Sequence, residues 1–312
     1  MKKALIDMLI CPRCLPEENR LQDTISAACK EEITEGTLKC SQCSSVYPIQ
    51  HGLAFLNPNH SEASRTQNKY ESLPVLSSYL WSHYGDLIGD EQATDAYSQW
   101  AQLMRSSSGA CLDTGSAVGR FTFEMATKFD FVVGIDNSVS FIRASRELMI
   151  HRRSDLALPE EGVLTRQETL TFPEDWKTDN IEFIVGDAQA LPFRSVAFSA
   201  LSSLNIVDKV PKPMAHLAEI NRVARANDAQ FLFSDPFSWS TEVAPEEDWL
   251  GGKQKGHFPG RGKDNIIALL EGKIGPLSPV WKVDAQGHIW WKIRTHSNHF
   301  EMIRSCFIKA SR

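Results

Sequence analysis

Four short apolar runs in this chain close on an acid: ACLD ends at Asp113, FVVGID at Asp136, IEFIVGD at Asp187 and QFLFSD at Asp235. A fifth run, AFSALSSL, leads to an exit loop that holds Asn205 and Asp208. Continuous apolar runs of this length suit strands buried on both faces, and such strands belong to parallel sheets covered by helices. Between the first two runs lies FTFEMATKF, with Phe121, Met125 and Phe129 at helical spacing. Strands and helices alternate, which predicts an α/β fold, a doubly wound Rossmann-like sheet over residues 109–312. In an open parallel sheet, ligands bind beyond the carboxyl ends of the strands. The acids gather on that edge.

The first strand runs into CLDTGSAVGR. By itself this segment fits a plain turn as well as a ligand loop. Asp136 decides for the ligand, because an acid roughly 20 residues on in a βαβ unit hydrogen-bonds a ribose. The pattern is D-x-G-x-x-x-G, whereas a pyrophosphate needs the closer backbone approach of G-x-G-x-x-G. A nucleoside cofactor without phosphate fits better, and S-adenosylmethionine is one.

The first sixty residues have a different constraint. CPRC at 11–14 and CSQC at 40–43 are two C-x-x-C knuckles. Each aims two thiolates at one ion, so Cys11, Cys14, Cys40 and Cys43 make the tetrahedral sulfur cage that zinc prefers. A redox pair or two disulfides are the alternatives. Such a closed site is structural, and it serves a domain too small for a core of its own. The wide gap between the knuckles predicts an inserted hairpin, with Cys29 a bystander in it. Val46–Ile49, then Gly52 and a second apolar run, predict a strand, a turn and a strand.

From Asn57 the polar stretch NPNHSEASRTQNKYES marks a boundary. The chain thus divides into a zinc ribbon at 1–58, a linker with lid helices at 59–108, and the α/β domain at 109–312. The lid helices carry Tyr79, Trp81, His83, Tyr84, Tyr97 and Trp100. Packing on the next domain and closing over a ligand both suit them. The net charge of -6 argues against gripping nucleic acid. No apolar run spans a bilayer, and Asp7 interrupts the short apolar start, so neither membrane nor leader is expected. The odd cysteine count points to a reducing cytoplasm.

The knuckles, with Gly36, Leu38, Tyr47, Pro48, Ile49 and Gly52, resemble the zinc-ribbon family of small methyltransferase activators. Residues 109–312 resemble class I S-adenosylmethionine-dependent methyltransferases, which implies a seven-stranded sheet. That resemblance implies that Asp113, Gly115 and Gly119, with Ser116 between, frame the methionine part of the cofactor. It places the ribose at Asp136 beside Asn137, the adenine at Asp187 and Ala188, and Asn205 at the cofactor as well. LDTGSAVGRFTFEMATKFDFVVGID, LNIVDKVPKP and SDPFSWSTEVAPEEDWLGG look like the methyltransferase domain of ovothiol biosynthesis enzymes, which methylates a ring nitrogen of 4-mercaptohistidine. Two departures stand out. Ser116 replaces the family's usual Cys, and a zinc ribbon stands where the family has iron-dependent sulfoxide synthase domains.

Methyl transfer is an in-line displacement governed by positioning. An imidazole with a pKa of about 6.5 is mostly neutral already, so it needs a partner that selects the tautomer. Asp208, Asn205 and Asp235 sit at the exits of the fourth and fifth strands, and Asp208 is the first candidate for orienter or base. Capping the next helix or making a surface ion pair is the alternative for Asp208. HIWWKIRT and MIRSCFIKA predict a final hairpin whose turn returns to the cofactor edge. There Arg294 would grip a substrate carboxylate and His296 would touch the acceptor, with Tyr84 and Trp239 as further substrate contacts. GGKQKGHFPGRGKDN, from Gly251, reads as a mobile lid or a basic contact to nucleic acid. The expected acceptor is a small imidazole or thiol, methylated on nitrogen. The rivals are S-methylation, an RNA or protein methyltransferase, and a catalytically idle cofactor-binding partner.

Overall fold

The computed structural model describes residues 1–58 and 68–312. The predicted linker falls partly on 59–67, outside the described residues. The N-terminal unit is a four-stranded antiparallel sheet in the order β1 (Leu21–Cys29), β2 (Glu32–Cys40), β3 (Val46–Gln50) and β4 (Leu53–Ala54). β1 and β2 form the hairpin inserted between the knuckles, and Cys29 is exposed at its tip.

The larger unit is a seven-stranded sheet. Its parallel strands are β5 (Ala110–Thr114), β6 (Phe131–Asp136), β9 (Ile181–Val185), β10 (Ala200–Leu204) and β11 (Gln230–Asp235). The order β9–β6–β5–β10–β11 is extended by β13 (His299–Ser311), antiparallel to β11, and by β12 (Lys282–His296) at the edge. β9 and β11 are buried along their whole length, which explains why they are mostly apolar. Gly134 in β6 lets the ring of Phe183 approach: a Cβ there would stand 2.6 Å from it.

Among the described residues, six helices flank the sheets: α1 (Leu73–Tyr84), α2 (Ala96–Gln102), α3 (Arg120–Met125), α4 (Val139–His151), α5 (Pro213–Val223) and α6 (Gly262–Leu270). α1 and α2 precede the first strand of the large sheet and bury Trp81 and Trp100 almost completely. Truncating an aromatic side chain of that burial costs about 3–5 kcal/mol. A feature absent from the sequence reading is the two-stranded ribbon β7 (Arg153–Glu161) and β8 (Leu164–Thr171). It braces both α1 and the final hairpin. Ser77 donates to the Ala157 carbonyl at 2.9 Å, and Ser297 donates to the Glu160 carbonyl at 2.6 Å.

The N-terminal unit docks on the β9 edge of the large sheet. Phe55 forms a parallel bridge with Val185, and Leu56 N–H donates to the Val185 carbonyl at 2.7 Å. Below it, Ile10 N–H reaches the Pro192 carbonyl at 3.0 Å and Arg194 N–H the Met8 carbonyl at 3.0 Å. One apolar cluster runs through Leu38 and Ile49 into Ile184 and Phe193, so the two units share a core. At the seam Arg146 of α4 pairs with Glu182 of β9 and with Glu32 of β2. The otherwise open sheet edge is thereby covered. No helix among the described residues is long and apolar enough to cross a membrane.

Candidate functional site

A cleft of about 880 Å³ opens at the carboxyl edge of the large sheet. Gly115, Asp136, Asn137, Asp187, Ala188 and Asn205 line it. Each comes from a strand exit, as a parallel sheet requires.

Asp136 is tied to the backbone on both sides. Its Oδ2 accepts the Ala117 N–H at 2.9 Å and its Oδ1 the Ser138 N–H at 2.8 Å. Burial nevertheless pushes its carboxyl up to about 6. Gly115 has φ +69°, and a Cβ there would stand 2.6 Å from the Ile206 side chain. Asp187 accepts the Gln189 N–H at 2.8 Å. The Ala188 carbonyl is fixed from behind by His216, whose Nδ1 donates at 3.0 Å while Nε2 meets Ser203 Oγ at 2.8 Å. His216 was not singled out in the sequence. Glu71 accepts the N–H groups of Val139 at 2.7 Å and Ser140 at 3.1 Å, pinning residues 68–71 over the start of α4.

Three predicted cofactor residues do not line the cleft. Asp113 is buried and bonded to two hydroxyls, Thr122 and Ser202, each at 2.7 Å. It therefore buttresses the loop. Gly119 packs on Phe183 at φ +87°, where it allows the turn into α3. Ser116 is buried, and its Oγ has no hydrogen-bond partner.

The acceptor residues need more correction. Of the predicted catalytic residues Asp208, Asn205 and His296, Asn205 alone lines the cleft. Asp208 is buried; it accepts the Ser238 N–H at 2.7 Å and the Lys209 ammonium at 3.0 Å. Asp235 is also buried, accepting the Phe237 N–H at 2.7 Å. Burial and the neighbouring Asp208 push its carboxyl well above the usual range. The final hairpin does return to the cleft, but its other face points in. Trp291, Ile293, Thr295, Glu301 and Ile303 line the cleft. Arg294 and His296 fall on the opposite face because side chains alternate along a strand. Arg294 is 3% exposed and paired with Glu160 at 2.8 Å. His296 accepts the Asn298 N–H at 3.3 Å and packs on His299. Tyr84 is fully buried and donates to the Val118 carbonyl at 2.6 Å. Trp239 stacks on Trp249 and packs at a tilt against Phe237. The glycine-rich loop from Gly251 contributes no residue to the cleft. The sequence reading missed Tyr70, which lines the cleft, and it left Tyr79 and Tyr97 unresolved between core and lid; both of these line the cleft too.

In the N-terminal unit the four predicted sulfurs lie within 4.8 Å of one another. Cys11 and Cys43 Sγ are 3.5 Å apart, and Cys14 and Cys40 Sγ 3.7 Å. Zn–S bonds of about 2.3 Å give a tetrahedral edge of about 3.8 Å, so the set fits one structural zinc. Tyr47 donates to Cys11 Sγ at 3.2 Å, an outer contact that orients the ligand.

The family model described as a methyltransferase domain matches residues 112–229, and the one described as Trm112p-like protein matches residues 2–52. No curated protein matches the chain in sequence. Among solved structures, the YcgJ protein of Bacillus subtilis is similar at 12% identity and TM-score 0.46, covering 70% of this chain and 98% of that one. An S-adenosylmethionine-dependent methyltransferase of Methanosarcina mazei is 18% identical with TM-score 0.45, covering 70% and 99%. A complex of the Haloferax volcanii Trm112 activator with a methyltransferase gives 12% identity and TM-score 0.45, covering 76% and 96%. The cleft fits the cofactor of such a domain. It offers acids at the second and third strand exits, a glycine too crowded for a side chain, and an unpartnered serine hydroxyl behind the loop. The chain carries a methyltransferase domain behind a Trm112p-like domain, and it is an S-adenosylmethionine-dependent methyltransferase with a structural zinc site.

Proposed function

We propose that the chain methylates a small molecule, on a ring nitrogen of a histidine-derived thiol of the 4-mercaptohistidine kind. The observation that carries this reading is the aromatic and apolar lining of the cleft. Tyr70 and Tyr79 line it from the segment that leads into α1 and from α1 itself, and Trp291, Ile293 and Ile303 line it from the final hairpin. α1 and the hairpin are joined where Ser82 of α1 donates to the Lys292 carbonyl of β12 at 2.6 Å. A flat aromatic ring suits such a lining, whereas a nucleic acid or protein segment needs an open groove. The resemblance to ovothiol methyltransferases and the net charge of -6 point the same way.

In this reading Asp136 takes the ribose, Asp187 and Ala188 the adenine, and the Gly115 loop the methionine part. The domain limits at residues 58 and 109 belong to the same proposal. When bound, the cofactor supplies an electrophilic methyl group, which a ring nitrogen takes with its lone pair as the carbon–sulfur bond breaks toward sulfur. Asn205 orients the acceptor. Its Oδ1 accepts from Ser305 Oγ at 2.6 Å, which turns its amide N–H groups to the cleft. A neutral imidazole needs no strong base, so the burial of Asp208 is no obstacle.

The test is incubation with methyl-labelled cofactor and 4-mercaptohistidine, histidine, related thiols or total RNA. Label in the mercaptohistidine ring nitrogen is the expected result. Label on sulfur would replace N- by S-methylation, and label only in RNA would end the small-molecule reading.

A further inference from the structure

Behind the Tyr97 wall of the cleft lies a buried histidine that the site described above does not use. His83 lies in the last turn of α1, is 3% exposed, and packs on Tyr97 with ring centroids 4.0 Å apart. Its Nδ1 accepts the backbone N–H of Arg120 at 3.4 Å, the first residue of α3. A ring nitrogen that accepts a backbone N–H carries a lone pair, so the proton of the neutral ring sits on Nε2. The doubly protonated ring is disfavoured here, because burial and the Arg120 guanidinium hold its pKa well below the ordinary value. Nε2 stands 2.6 Å from Tyr97 Oη. His83 is therefore the donor in that bond, and the Tyr97 oxygen is the acceptor.

This leaves the hydroxyl proton of Tyr97 uncommitted. Among the described residues, His83 is the one hydrogen-bond partner of that hydroxyl. Tyr97 lines the cleft, as do Gly115 and Ala117 of the cofactor loop. A proton that cannot point back at a donating histidine points into the cleft. The position of Arg120 behind the pair is itself fixed, since its guanidinium holds Asp86 at 2.7 Å and Glu124 at 2.9 Å.

We propose that Tyr97 is a fixed hydrogen-bond donor for the carboxylate of the cofactor's amino-acid half, and that His83 is the positioning residue that turns its proton outward. The inference rests on the cofactor placement proposed above. An ammonium cannot accept that proton and a thioether accepts it poorly, whereas a carboxylate oxygen accepts it well. The amino-acid half is the part of the cofactor placed over the Gly115 loop.

Two ligands separate this role from a merely structural one. S-adenosylhomocysteine carries the amino-acid half, and 5′-methylthioadenosine is the corresponding thioether without it. Titration calorimetry on the full chain measures both. Tyr97→Phe is expected to weaken S-adenosylhomocysteine roughly tenfold or more, the weight of one hydrogen bond to a charged group. Its affinity for methylthioadenosine should stay within about twofold, which also shows that the variant is folded. His83→Gln, which offers an amide donor toward Tyr97, should keep most of the S-adenosylhomocysteine affinity. If Tyr97→Phe binds both ligands as the unaltered chain does, or loses both alike, the proposal is overturned. If the unaltered chain binds neither ligand, the fault lies in the cofactor placement itself.

Discussion

Asp113 makes a strong test of the physics at the cofactor loop. It sits at the exit of β5, 2% exposed, with both oxygens occupied by hydroxyls of Thr122 and Ser202. Burial outweighs those bonds and pushes its carboxyl up to about 6. A free aspartate titrates near about 3.9. Between these values the folded chain binds the proton more tightly than the unfolded chain. Stability therefore falls as pH rises through that window, and the loss persists above it. A gap of about two units corresponds to about 3 kcal/mol. Asp113→Asn removes the charge and keeps the shape. Its amide accepts from one hydroxyl and donates to the other, because either hydroxyl can rotate. The variant should match the unaltered chain near about pH 4 and gain on it up to about pH 6. At a folding unit of this size the full gain is roughly 6–10 °C in Tm. Melting curves of both proteins across that range, followed by circular dichroism, read the difference directly. A difference that does not grow with pH, or a variant that melts lower at neutral pH, would refute the reasoning. The acid remains in the chain despite this cost because it holds the loop under the cofactor, a common exchange of stability for function.

Other expectations follow from the seam, the zinc site and the acceptor wall. Arg146→Ala leaves Glu182, which is fully buried, without its cation. A loss of about 3–5 kcal/mol is expected, and protease should then cut between the two units; resistance equal to the unaltered chain would count against the seam. Metal analysis should give about one zinc per chain, and Cys14→Ser or a strong chelator should remove it and loosen the N-terminal unit, read by near-UV circular dichroism. Trp291→Ala should raise the acceptor KM several-fold and leave S-adenosylhomocysteine affinity unchanged; a selective fall in cofactor affinity would move Trp291 to the other half of the cleft.

Strand-ending acids and the zinc knuckles were legible because each is fixed by a local rule. Burial on both faces forces unbroken apolar runs, and ligation of one ion forces the C-x-x-C spacing. β7 and β8 obey no such rule. β8 buries only Leu170, so most of its side chains are solvated and carry no apolar pattern. The hairpin was legible as an element, and its facing was not. Trp291, Ile293 and Thr295 share one face, Arg294 and His296 the other, and one residue of register exchanges them. The polar residues there invited a functional reading, yet the ribbon supplies Glu160 to occupy Arg294, and the ribbon was invisible.

The same ambiguity governs the acids. An aspartate at a strand exit either faces a ligand or satisfies the N–H groups of its own turn. Asp235 does the second, because the chain bends at Phe237 (φ +56°) and brings that N–H back to the carboxylate. Asp136 does both, bonding two N–H groups and still lining the cleft. Residue type and spacing are the same in the two cases. What separates them is the direction the backbone takes after the acid, set after Asp235 by the positive φ of Phe237, which is not glycine and so leaves no mark in the sequence.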